Sequence, residues 1–545
     1  MSYRMGAHRL AQALKREGVD CLFTLCGGHI MPIYDACLDE GIRIIDVRHE
    51  QAAAFAADAW GRMERRPGVA VVTAGPGITN AVTAVANAYK AGTPLVLIGG
   101  QAPLLRQGKG DLQELDALSI LRPITHWAAS VWTANRIAEM VHTAFHEAIS
   151  WRGPVFLEVP MDVLLEPAGE EPYQPRPGPL RLPGEPSRVK EVAELLATAE
   201  RPVLIGGSDL YWSEAEESLA RFLEIFPLPV YLNAMGRGML APDHPCFFSL
   251  SRGWALREAD VALVIGTPMD FRLNFGRAFG EKTKIVQVDR DPENIGQNRE
   301  VAIGIWADSG PFLDLLAEQV SKILHHRNSH SWLEAVRQVE EQRRRERIPL
   351  EESDAIPIHP LRLARELANF CSENTIFVGD GGDIVSIAAT VIHPHRPGHW
   401  LDPGPMGTLG IGVPFAIAAK ISRPEKEVVA LFGDGAIGFT IMEYDTAVRH
   451  GIPFIGIVGN NGQWAQIRYG QISMFGEERA VATKLGVVRY EQVVEALGGY
   501  GEYIEDPREI RPALERARES GKPALINVRL DDTYYSDATK RLYRL

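Results

Sequence analysis

The sequence predicts an α/β protein with three doubly wound parallel-sheet domains. Two observations carry this prediction. Short runs rich in Val, Ile and Leu alternate with longer helical patterns along the whole chain, as expected for parallel strands that helices cover on both faces. In addition, a chain of 545 residues is too long for one hydrophobic core and corresponds to about three domains.

Strands are predicted where a β-branched run ends in glycine or a polar residue. In the first third of the chain we expect strands at 68–74 and 93–100, with a helix at 76–92 between them. Ligands of such sheets bind at the carboxyl ends of the strands, so functional residues are expected there. Further strands are expected at 201–207, 228–234, 261–267, 284–289, 374–381, 427–435, 453–461 and 523–530.

Two stretches are predicted to be linkers. Residues 166–187 are too rich in proline to hold a helix or an inner strand, and residues 337–358 are charged and interrupted by Pro349 and Pro357. The boundaries that follow are an N-terminal domain over 1–165, a central domain over 188–336 and a C-terminal domain over 359–545.

Net charge, cysteine spacing and the length of apolar runs limit the kinds of ligand and environment expected for this protein. The formal charge of −13 argues against nucleic acid and anionic membranes, because both need a basic surface. The five cysteines show no paired CxxC spacing, so neither a disulfide framework nor a zinc site is indicated. No apolar run in the sequence reaches the ~18 residues of a membrane span. We therefore expect a cytoplasmic protein that acts on a small molecule.

The strongest chemical signal lies in the last third, where one predicted strand ends in Gly433, Asp434 and Gly435. The next predicted strand ends in Asn460 and Asn461 after the 24 residues 436–459. If these strands are neighbours, Asp434 and Asn461 reach the same sheet edge and can share one cation. Hard oxygen ligands suit Mg²⁺, which usually also takes phosphate oxygens.

The same segment is suited to a diphosphate. Gly433 and Gly435 let the backbone approach a phosphate closely. The amides of Gly435 and Ala436 face the start of the next helix, expected near Thr440, where the helix dipole favours anions. Together these features predict a metal–diphosphate site.

With these motifs in place, the sequence resembles thiamine-diphosphate-dependent enzymes of the acetolactate synthase-like family. GDG followed by NN is similar to their diphosphate motif, and RHEQAAAFAADAWGR at 48–62 to their N-terminal glutamate segment. The segments 72–100 and 402–420 are similar as well. The resemblance implies pyrimidine-binding, central and diphosphate-binding domains, with thiamine diphosphate and Mg²⁺ as cofactors.

The resemblance assigns roles on the pyrimidine side. A carboxylate that runs into packed alanines is costly unless something pairs with it, and in the family the residue matching Glu50 hydrogen-bonds N1′ of the cofactor. Thr73 and Asn80 fall in the cofactor-binding segment that follows. The Gly407 carbonyl is expected to accept from the 4′-amino group, and Leu409 to wedge beneath the cofactor.

On the diphosphate side, the resemblance adds the carbonyl of Gln463 as a third metal ligand beside Asp434 and Asn461. Gly382 and Asp383 occupy the place of a second diphosphate-contacting loop, although the acidic Asp383 departs from the neutral polar pair of acetolactate synthases.

Two further residues are expected to face the reacting carbon. His29 matches an active-site histidine of benzaldehyde lyase, and Gln113 a glutamine common in the branch, so either could relay a proton or hold a substrate oxygen. For His29 a structural role is the alternative. Trp464 is expected either to line the pocket or to pack. In the family the glutamate and diphosphate sites belong to different subunits, which implies a homodimer at minimum and favours a homotetramer.

Several reactions fit this cofactor. Segments 27–50, 112–131 and 460–476 resemble 2-hydroxyacyl-CoA lyase, which implies cleavage of a 2-hydroxyacyl-CoA to an aldehyde or ketone and formyl-CoA, or the reverse condensation. The alternatives are acetolactate synthase, benzaldehyde-lyase-type carboligation and an FAD-dependent 2-oxoacid oxidase. From another class comes a silent regulatory paralogue. The central domain is expected to bind ADP or CoA, or FAD, with Asp289 at a ribose, or to bind nothing.

Overall fold

The computed structural model consists of two compact units. The described residues are 4–169, 173, 175–323 and 330–543. The first unit consists of Met1–Pro179, Val378–Val385 and Asp402–Leu545, and the second of Leu180–Phe377 and Ser386–Leu401.

The N-terminal part of the first unit is built on a six-stranded sheet. Its strands, together with a short outlying pair, are β1 Arg4–Met5, β2 Cys21–Thr24, β3 Arg43–Asp46, β4 Gly68–Val72, β5 Leu95–Gln101, β6 Trp127–Ser130, β7 Pro154–Pro160 and β8 Pro167–Ala168. Its helices are α1 Gly6–Arg16, α2 Met31–Asp39, α3 Glu50–Glu64, α4 Pro76–Ala91, α5 Ala117–Leu121, α6 Ile137–Trp151 and α7 Met161–Leu165.

The strand order in this sheet is β3-β2-β4-β5-β7-β6, and all of its pairs are parallel. The inner strands are buried on both faces, as parallel strands between helical layers must be. Because every strand runs the same way, the loops after β2, β3 and β4 emerge at one edge. Strands β1 and β8 form a separate antiparallel pair.

The central part, in the second unit, carries a five-stranded parallel sheet of order β10-β9-β11-β12-β13. Its strands are β9 Pro202–Gly206, β10 Val230–Leu232, β11 Val261–Ile265, β12 Lys284–Asp289 and β13 Ile303–Trp306. Its helices are α8 Pro186–Thr198, α9 Ser208–Trp212, α10 Glu216–Ile225, α11 Arg252–Glu258, α12 Ser309–Ile323 and α13 His330–Glu351.

The C-terminal part carries the third sheet, of order β15-β14-β16-β17-β19-β18. Its strands are β14 Thr375–Asp380, β15 Trp400–Leu401, β16 Glu427–Gly433, β17 Ile455–Asn460, β18 Tyr500–Ile504 and β19 Ala524–Arg529. Its helices are α14 Pro360–Phe370, α15 Asp383–Ala388, α16 Gly412–Ser422, α17 Asp434–Ile437, α18 Glu443–Arg449, α19 Ala465–Phe475, α20 Tyr490–Ala496, α21 Ile510–Ser520 and α22 Asp537–Leu542.

The three helix-covered parallel sheets confirm the predicted fold class, and each predicted strand is present. The expectation of a linker at 337–358 is wrong for its first part, because α13 continues to Glu351 with Pro349 inside it. Pro349 falls in the last turn, where a missing N–H removes only one helical hydrogen bond. The buried residues of α13, Trp332, Leu333 and Val336, lie in its first two turns, where the helix packs on the central sheet's core.

The segment after β16 differs from the expectation. The helix expected near Thr440 is instead two helices, since α17 begins at Asp434 itself and α18 at Glu443.

Within the described residues, no helix combines the length and apolar character needed to cross a bilayer.

Candidate active site

Glu50 is the first residue of α3, directly after the carboxyl edge of β3. His49 caps the helix, its Nδ1 accepting from the Gln51 N–H at 3.1 Å. The six residues 52–57 behind Glu50 are all buried, and five of them are alanines, which lets neighbouring helices approach α3 closely. Only 6% of Glu50 is exposed. Its Oε2 accepts a hydrogen bond of 2.9 Å from Asn80 Nδ2 on α4, so the carboxyl group has one fixed oxygen.

A second polar group lies beside Glu50. Thr73 follows β4, and its Oγ1 lies 3.3 Å from His29 Nδ1 and 3.4 Å from Gln113 Oε1. A Cβ on Gly77 would sit 2.8 Å from Thr73 Cγ2 and 3.5 Å from Glu50 Oε1. The absence of that Cβ therefore leaves Thr73 and Glu50 Oε1 facing a common space.

The positions of Gln113 and His29 depend on an unusual backbone conformation and on two glycines. Gln113 has a φ of +61°, which non-glycine residues seldom adopt. A Cβ on Gly75 would lie 2.7 Å from the Gln113 carbonyl oxygen, and one on Gly100 2.7 Å from His29 Cβ. The structure thus brings Glu50, Thr73, Asn80, His29 and Gln113 together at the carboxyl edge of the N-terminal sheet.

At the C-terminal sheet, β16 and β17 are parallel neighbours with Gly433 opposite Gly459. Their ends are therefore adjacent, and Asp434 Oδ2 accepts from the Gln463 N–H at 3.1 Å while Oδ1 accepts from the Gly435 N–H at 2.9 Å. Asp434, Asn461 and Gln463 thus occupy one short edge of the sheet.

The two asparagines at the end of β17 have different surroundings. Asn460 is buried and structural, since its Nδ2 donates to Asn527 Oδ1 and to the Val488 carbonyl, both at 3.0 Å. The Asn461 side chain has no hydrogen-bond partner among the described residues. Its amide oxygen is therefore available to a cation.

The donor set fits a magnesium ion bound to a diphosphate. Asp434 is 4% exposed, and burial raises its pKa to about 6 against the opposing hydrogen bonds from backbone amides. No lysine or arginine pairs with it within the described chain, so a cation would supply the missing charge compensation. The Gln463 carbonyl accepts one hydrogen bond, from the Ala465 N–H at 2.9 Å, which leaves a second lone pair.

The two glycines beside Asp434, Gly433 and Gly435, have different neighbours. A Cβ on Gly435 would lie 2.2 Å from the Trp464 ring, so this glycine is required by the packing of Trp464. Trp464 therefore packs against Gly435, and the Phe439 ring lies edge-on to it with 6.4 Å between the ring centroids. Around Gly433 the nearest atoms to such a Cβ are 3.7 Å away, which leaves room for a ligand. Ala436 is buried in α17.

The loop that carries Gly407 and Leu409 also contains a buried polar group without a partner. Gly407 has a φ of +63° and nothing within 4 Å of the position of a Cβ, and Leu409 is half-buried. Next to them, Thr408 Oγ1 is buried and has no partner within the described residues. An unsatisfied buried hydroxyl between these two residues fits a loop that receives a polar ligand.

Asp383 contacts the C-terminal segment of the chain. Its Oδ1 accepts from the N–H and hydroxyl of Ser536, at 3.0 and 2.6 Å, and from the Thr539 hydroxyl at 2.5 Å. Asp383 therefore fixes the start of α22, and this contact accounts for the acidic residue there. Beside it, a Cβ on Gly382 would lie 2.0 Å from Gln466 Oε1.

Sequence reasoning missed Asp380, which lies at the end of β14. Its carboxylate is fully buried and accepts from the Gly410 N–H at 3.1 Å and the Gly412 N–H at 2.8 Å, immediately after Leu409. The signal was present, because GDGG at 379–382 repeats the strand-ending GDG of β16.

In the central sheet, Asp289 is buried and shapes its own turn. Its Oδ1 accepts from the Asp291 N–H at 2.9 Å and from Asn294 Nδ2 at 3.3 Å. At the end of the neighbouring strand β11, Thr267 Oγ1 is buried without a partner in the described chain. Asn233 Nδ2, directly after β10, is likewise buried without a partner among the described residues, so the strand ends of this sheet hold at least two unsatisfied polar atoms.

The three helix-covered parallel sheets, with buried polar groups gathered at two sheet edges, are those of an α/β enzyme, and comparison with known families gives its class. Three family descriptions match: the thiamine pyrophosphate enzyme N-terminal TPP binding domain over residues 4–120, the central domain over 189–316 and the C-terminal TPP binding domain over 380–528.

Relatives match over nearly the whole chain. An acetolactate synthase large subunit of Mycobacterium tuberculosis is 43% identical over 535 residues, covering 97% of this chain and 96% of its own. The 2-hydroxyacyl-CoA lyase 2 of Danio rerio is 36% identical over 585 residues, covering 99% and 93%, and that of Homo sapiens is 35% identical over 589 residues, covering 99% and 92%. The chain belongs to the acetolactate synthase-like family of thiamine-pyrophosphate-dependent enzymes.

Proposed function

We propose that the chain is a thiamine-diphosphate- and Mg²⁺-dependent carbon–carbon lyase. Its proposed reaction cleaves a 2-hydroxyacyl-CoA to an aldehyde or ketone and formyl-CoA, and also runs in reverse as an acyloin-type condensation. The observation that carries this proposal is the contact of His29 and Gln113 with Thr73 beside Glu50, because it places proton-handling and hydrogen-bonding groups at one sheet edge.

Both ends of the cofactor have candidate partners in the chain. Asp434, Asn461 and the Gln463 carbonyl would hold the Mg²⁺. When bound, thiamine diphosphate supplies a nucleophilic carbon and an electron sink for the bond that breaks. The backbones of Gly433, Gly435, Ala436, Gly382 and Asp383 would face the diphosphate, since the Asp383 carboxylate is engaged by Ser536 and Thr539. The residues on the pyrimidine side would be Glu50, Thr73, Asn80, Gly407 and Leu409.

The residues at the N-terminal sheet edge handle protons. Asn80 fixes Oε2 of Glu50, so Oε1, which faces the space beside Gly77, is the atom that would hold or release a proton at a ring nitrogen. His29 directs Nδ1 to Thr73, which leaves Nε2 as the nitrogen that would meet a substrate oxygen.

One feature favours the lyase reaction. After Gln463, α19 begins two residues later at Ala465, and the segment lacks the longer Met- and Trp-bearing stretch expected of acetolactate synthases. The relatives named 2-hydroxyacyl-CoA lyase 2 align with 99% of this chain and the mycobacterial synthase with 97%, so coverage does not separate the two reactions.

Acetolactate synthesis from a 2-oxoacid is the second candidate. The 43% identity to the mycobacterial acetolactate synthase large subunit, against 35–36% to the lyases, favours it. A CoA substrate would also need a nucleotide site, which we propose at the strand ends of the central sheet near Thr267 and Asp289. A synthase would not need that site for its substrate.

Parallel assays test the proposal. The purified protein, supplied with thiamine diphosphate and Mg²⁺, is incubated separately with a 2-hydroxyacyl-CoA, with benzoin and with pyruvate, and the products are identified by mass spectrometry. Formyl-CoA with the matching aldehyde or ketone is the expected result. Acetolactate as the only product would replace the lyase with the synthase, and the absence of turnover on all three would favour a silent paralogue.

A further inference from the structure

One carboxylate of the C-terminal part contacts the backbone immediately ahead of Glu50. Both oxygens of Glu443, at the start of α18, accept from the Arg48 N–H, at 3.0 and 3.1 Å. The N–H of His49 also faces this carboxylate. Arg48 and His49 are the last two residues before α3 begins at Glu50.

Glu443 is itself held in one orientation. Only 2% of the residue is exposed, and its Oε2 accepts from the Thr446 hydroxyl at 2.6 Å. The N–H of Glu443 donates to the Thr440 carbonyl, and the Thr440 hydroxyl donates to the Gly410 carbonyl at 3.0 Å. The start of α18, which carries this carboxylate, is thus anchored to Gly410, the residue after Leu409.

Around this contact, charged side chains form ion pairs that are partly exposed to solvent. Arg48 pairs with Asp445 at 2.6 Å, and Asp46 pairs with Arg449 at 2.6 Å and with His450 at 2.8 Å. Most of these groups are solvent-accessible, and exposed ion pairs position a backbone only weakly. The buried carboxylate with charge-assisted hydrogen bonds is therefore the main constraint on residues 48 and 49.

We propose that Glu443 is a positioning residue for Glu50: it fixes the backbone of Arg48 and His49 and so sets where α3 begins and where the Glu50 carboxyl group points. This inference rests on the role of Glu50 in the proposed function. Without Glu443, the N-cap residue His49 would lose its external constraint, and the Glu50 carboxyl group would shift relative to Asn80 and Thr73.

The first test measures the contact without cofactor or substrate. Hydrogen–deuterium exchange at the Arg48 and His49 amides is compared in the wild type and in Glu443→Gln, whose amide group can accept through one oxygen only. We expect exchange at these amides to be at least ~10-fold faster in the variant, since the glutamine keeps one neutral acceptor oxygen for the two amides and loses the charge that strengthens both hydrogen bonds. Unchanged protection would overturn the proposal.

A matched control exists in the central part. The Glu340 carboxylate likewise accepts from consecutive backbone amides, those of Ser249, Leu250 and Ser251, at 2.7–3.3 Å. Glu340→Gln should expose amides 249–251 and leave those of residues 48 and 49 protected. If Glu340→Gln also exposed residues 48 and 49, the effect of Glu443→Gln would reflect general loosening, and the proposal would fail.

A double-mutant cycle with Glu50 separates positioning from general stability. Glu443→Gln should lower turnover roughly tenfold in the wild type, within the range that misplacement of a catalytic group costs, but less than about twofold in a Glu50→Gln background. An equal loss in both backgrounds would show a merely structural role. Glu443→Asp, which keeps the charge, should recover part of the turnover and replaces Glu443→Gln if that variant does not fold.

Failure of the proposed function would look different. Full activity of Glu50→Gln would remove the role of Glu50 and with it the catalytic consequence of the contact. The amide exchange at Arg48 and His49 would still decide whether Glu443 fixes this backbone.

Discussion

Asn80 Nδ2 lies 2.9 Å from Glu50 Oε2 and fixes one oxygen of a carboxyl group that is almost completely buried. Glu50 is the first residue of α3 and Asn80 lies on α4, so the contact joins two helices beside the N-terminal sheet. A buried carboxyl group needs a partner. Asn80 supplies one for Oε2, while Oε1 faces the space beside Gly77.

Replacement of Glu50 by glutamine should separate binding from turnover. We expect Glu50→Gln to cut turnover by at least ~10², the usual scale for the loss of an acid–base group, while cofactor affinity is partly retained. Steady-state kinetics and titration with thiamine diphosphate measure the two quantities. Asn80→Ala should give a smaller loss, since it frees the carboxyl group without removing it. Full activity of Glu50→Gln would exclude the proposed role.

Removal of the Asp434 carboxylate should abolish diphosphate binding that depends on Mg²⁺. Without it, the site keeps only the neutral oxygens of Asn461 and Gln463, which bind Mg²⁺ poorly. Isothermal titration of Asp434→Ala with thiamine diphosphate, with and without Mg²⁺, checks this result. Asp434→Asn, of similar size, separates loss of charge from loss of packing. Unaltered Mg²⁺-dependent binding in both variants would mean that the metal is held elsewhere.

A complementation experiment tests whether the site spans two subunits. If Glu50 of one subunit serves the cofactor held by Asp434 of another, a mixed dimer of Glu50→Gln and Asp434→Ala chains contains one intact site. Random pairing should then restore about a quarter of wild-type activity, because half of the dimers are mixed and each has one of two sites. Separately inactive variants that stay inactive after refolding together would place both groups in one chain.

The strands, and the adjacency of Asp434 and Asn461 at the ends of β16 and β17, could be predicted because they depend on local patterns. Buried parallel strands are continuous runs of β-branched residues, and the spacing of Asp434 and Asn461 is one crossover long. Contacts between distant segments have no such signature. The contact of Asp383 with Ser536 and the contact of Glu443 with the Arg48 backbone join residues 153 and 395 positions apart.

Local sequence rules were wrong or incomplete at Pro349 and Gly435. Pro349 predicts an interruption, yet α13 runs two residues past it, because a proline in the last turn removes only one helical hydrogen bond. At Gly435 the local interpretation is incomplete: the sequence predicts space for a phosphate, and the structure also uses this glycine to admit the Trp464 ring. A glycine in a sequence shows that space is needed but not what fills it.

Asp380 should make stability depend on pH. Burial raises its pKa to about 7, although the Gly410 and Gly412 amides oppose the shift. Between about pH 4 and pH 7 the folded chain therefore holds a proton that the unfolded chain releases. By linkage, the free energy of unfolding falls as pH rises through this window, by at most about 1.4 kcal/mol per pH unit, and is constant above it.

The variant Asp380→Asn cannot titrate and tests this dependence. Its melting temperature relative to the wild type should rise between pH 4 and pH 7 and then level off, since the wild type alone loses stability there. The comparison cancels all other titrating groups. Parallel curves for Asp380→Asn and the wild type would show that the carboxyl group is already ionised at pH 4, and that the amides of Gly410 and Gly412 outweigh its burial.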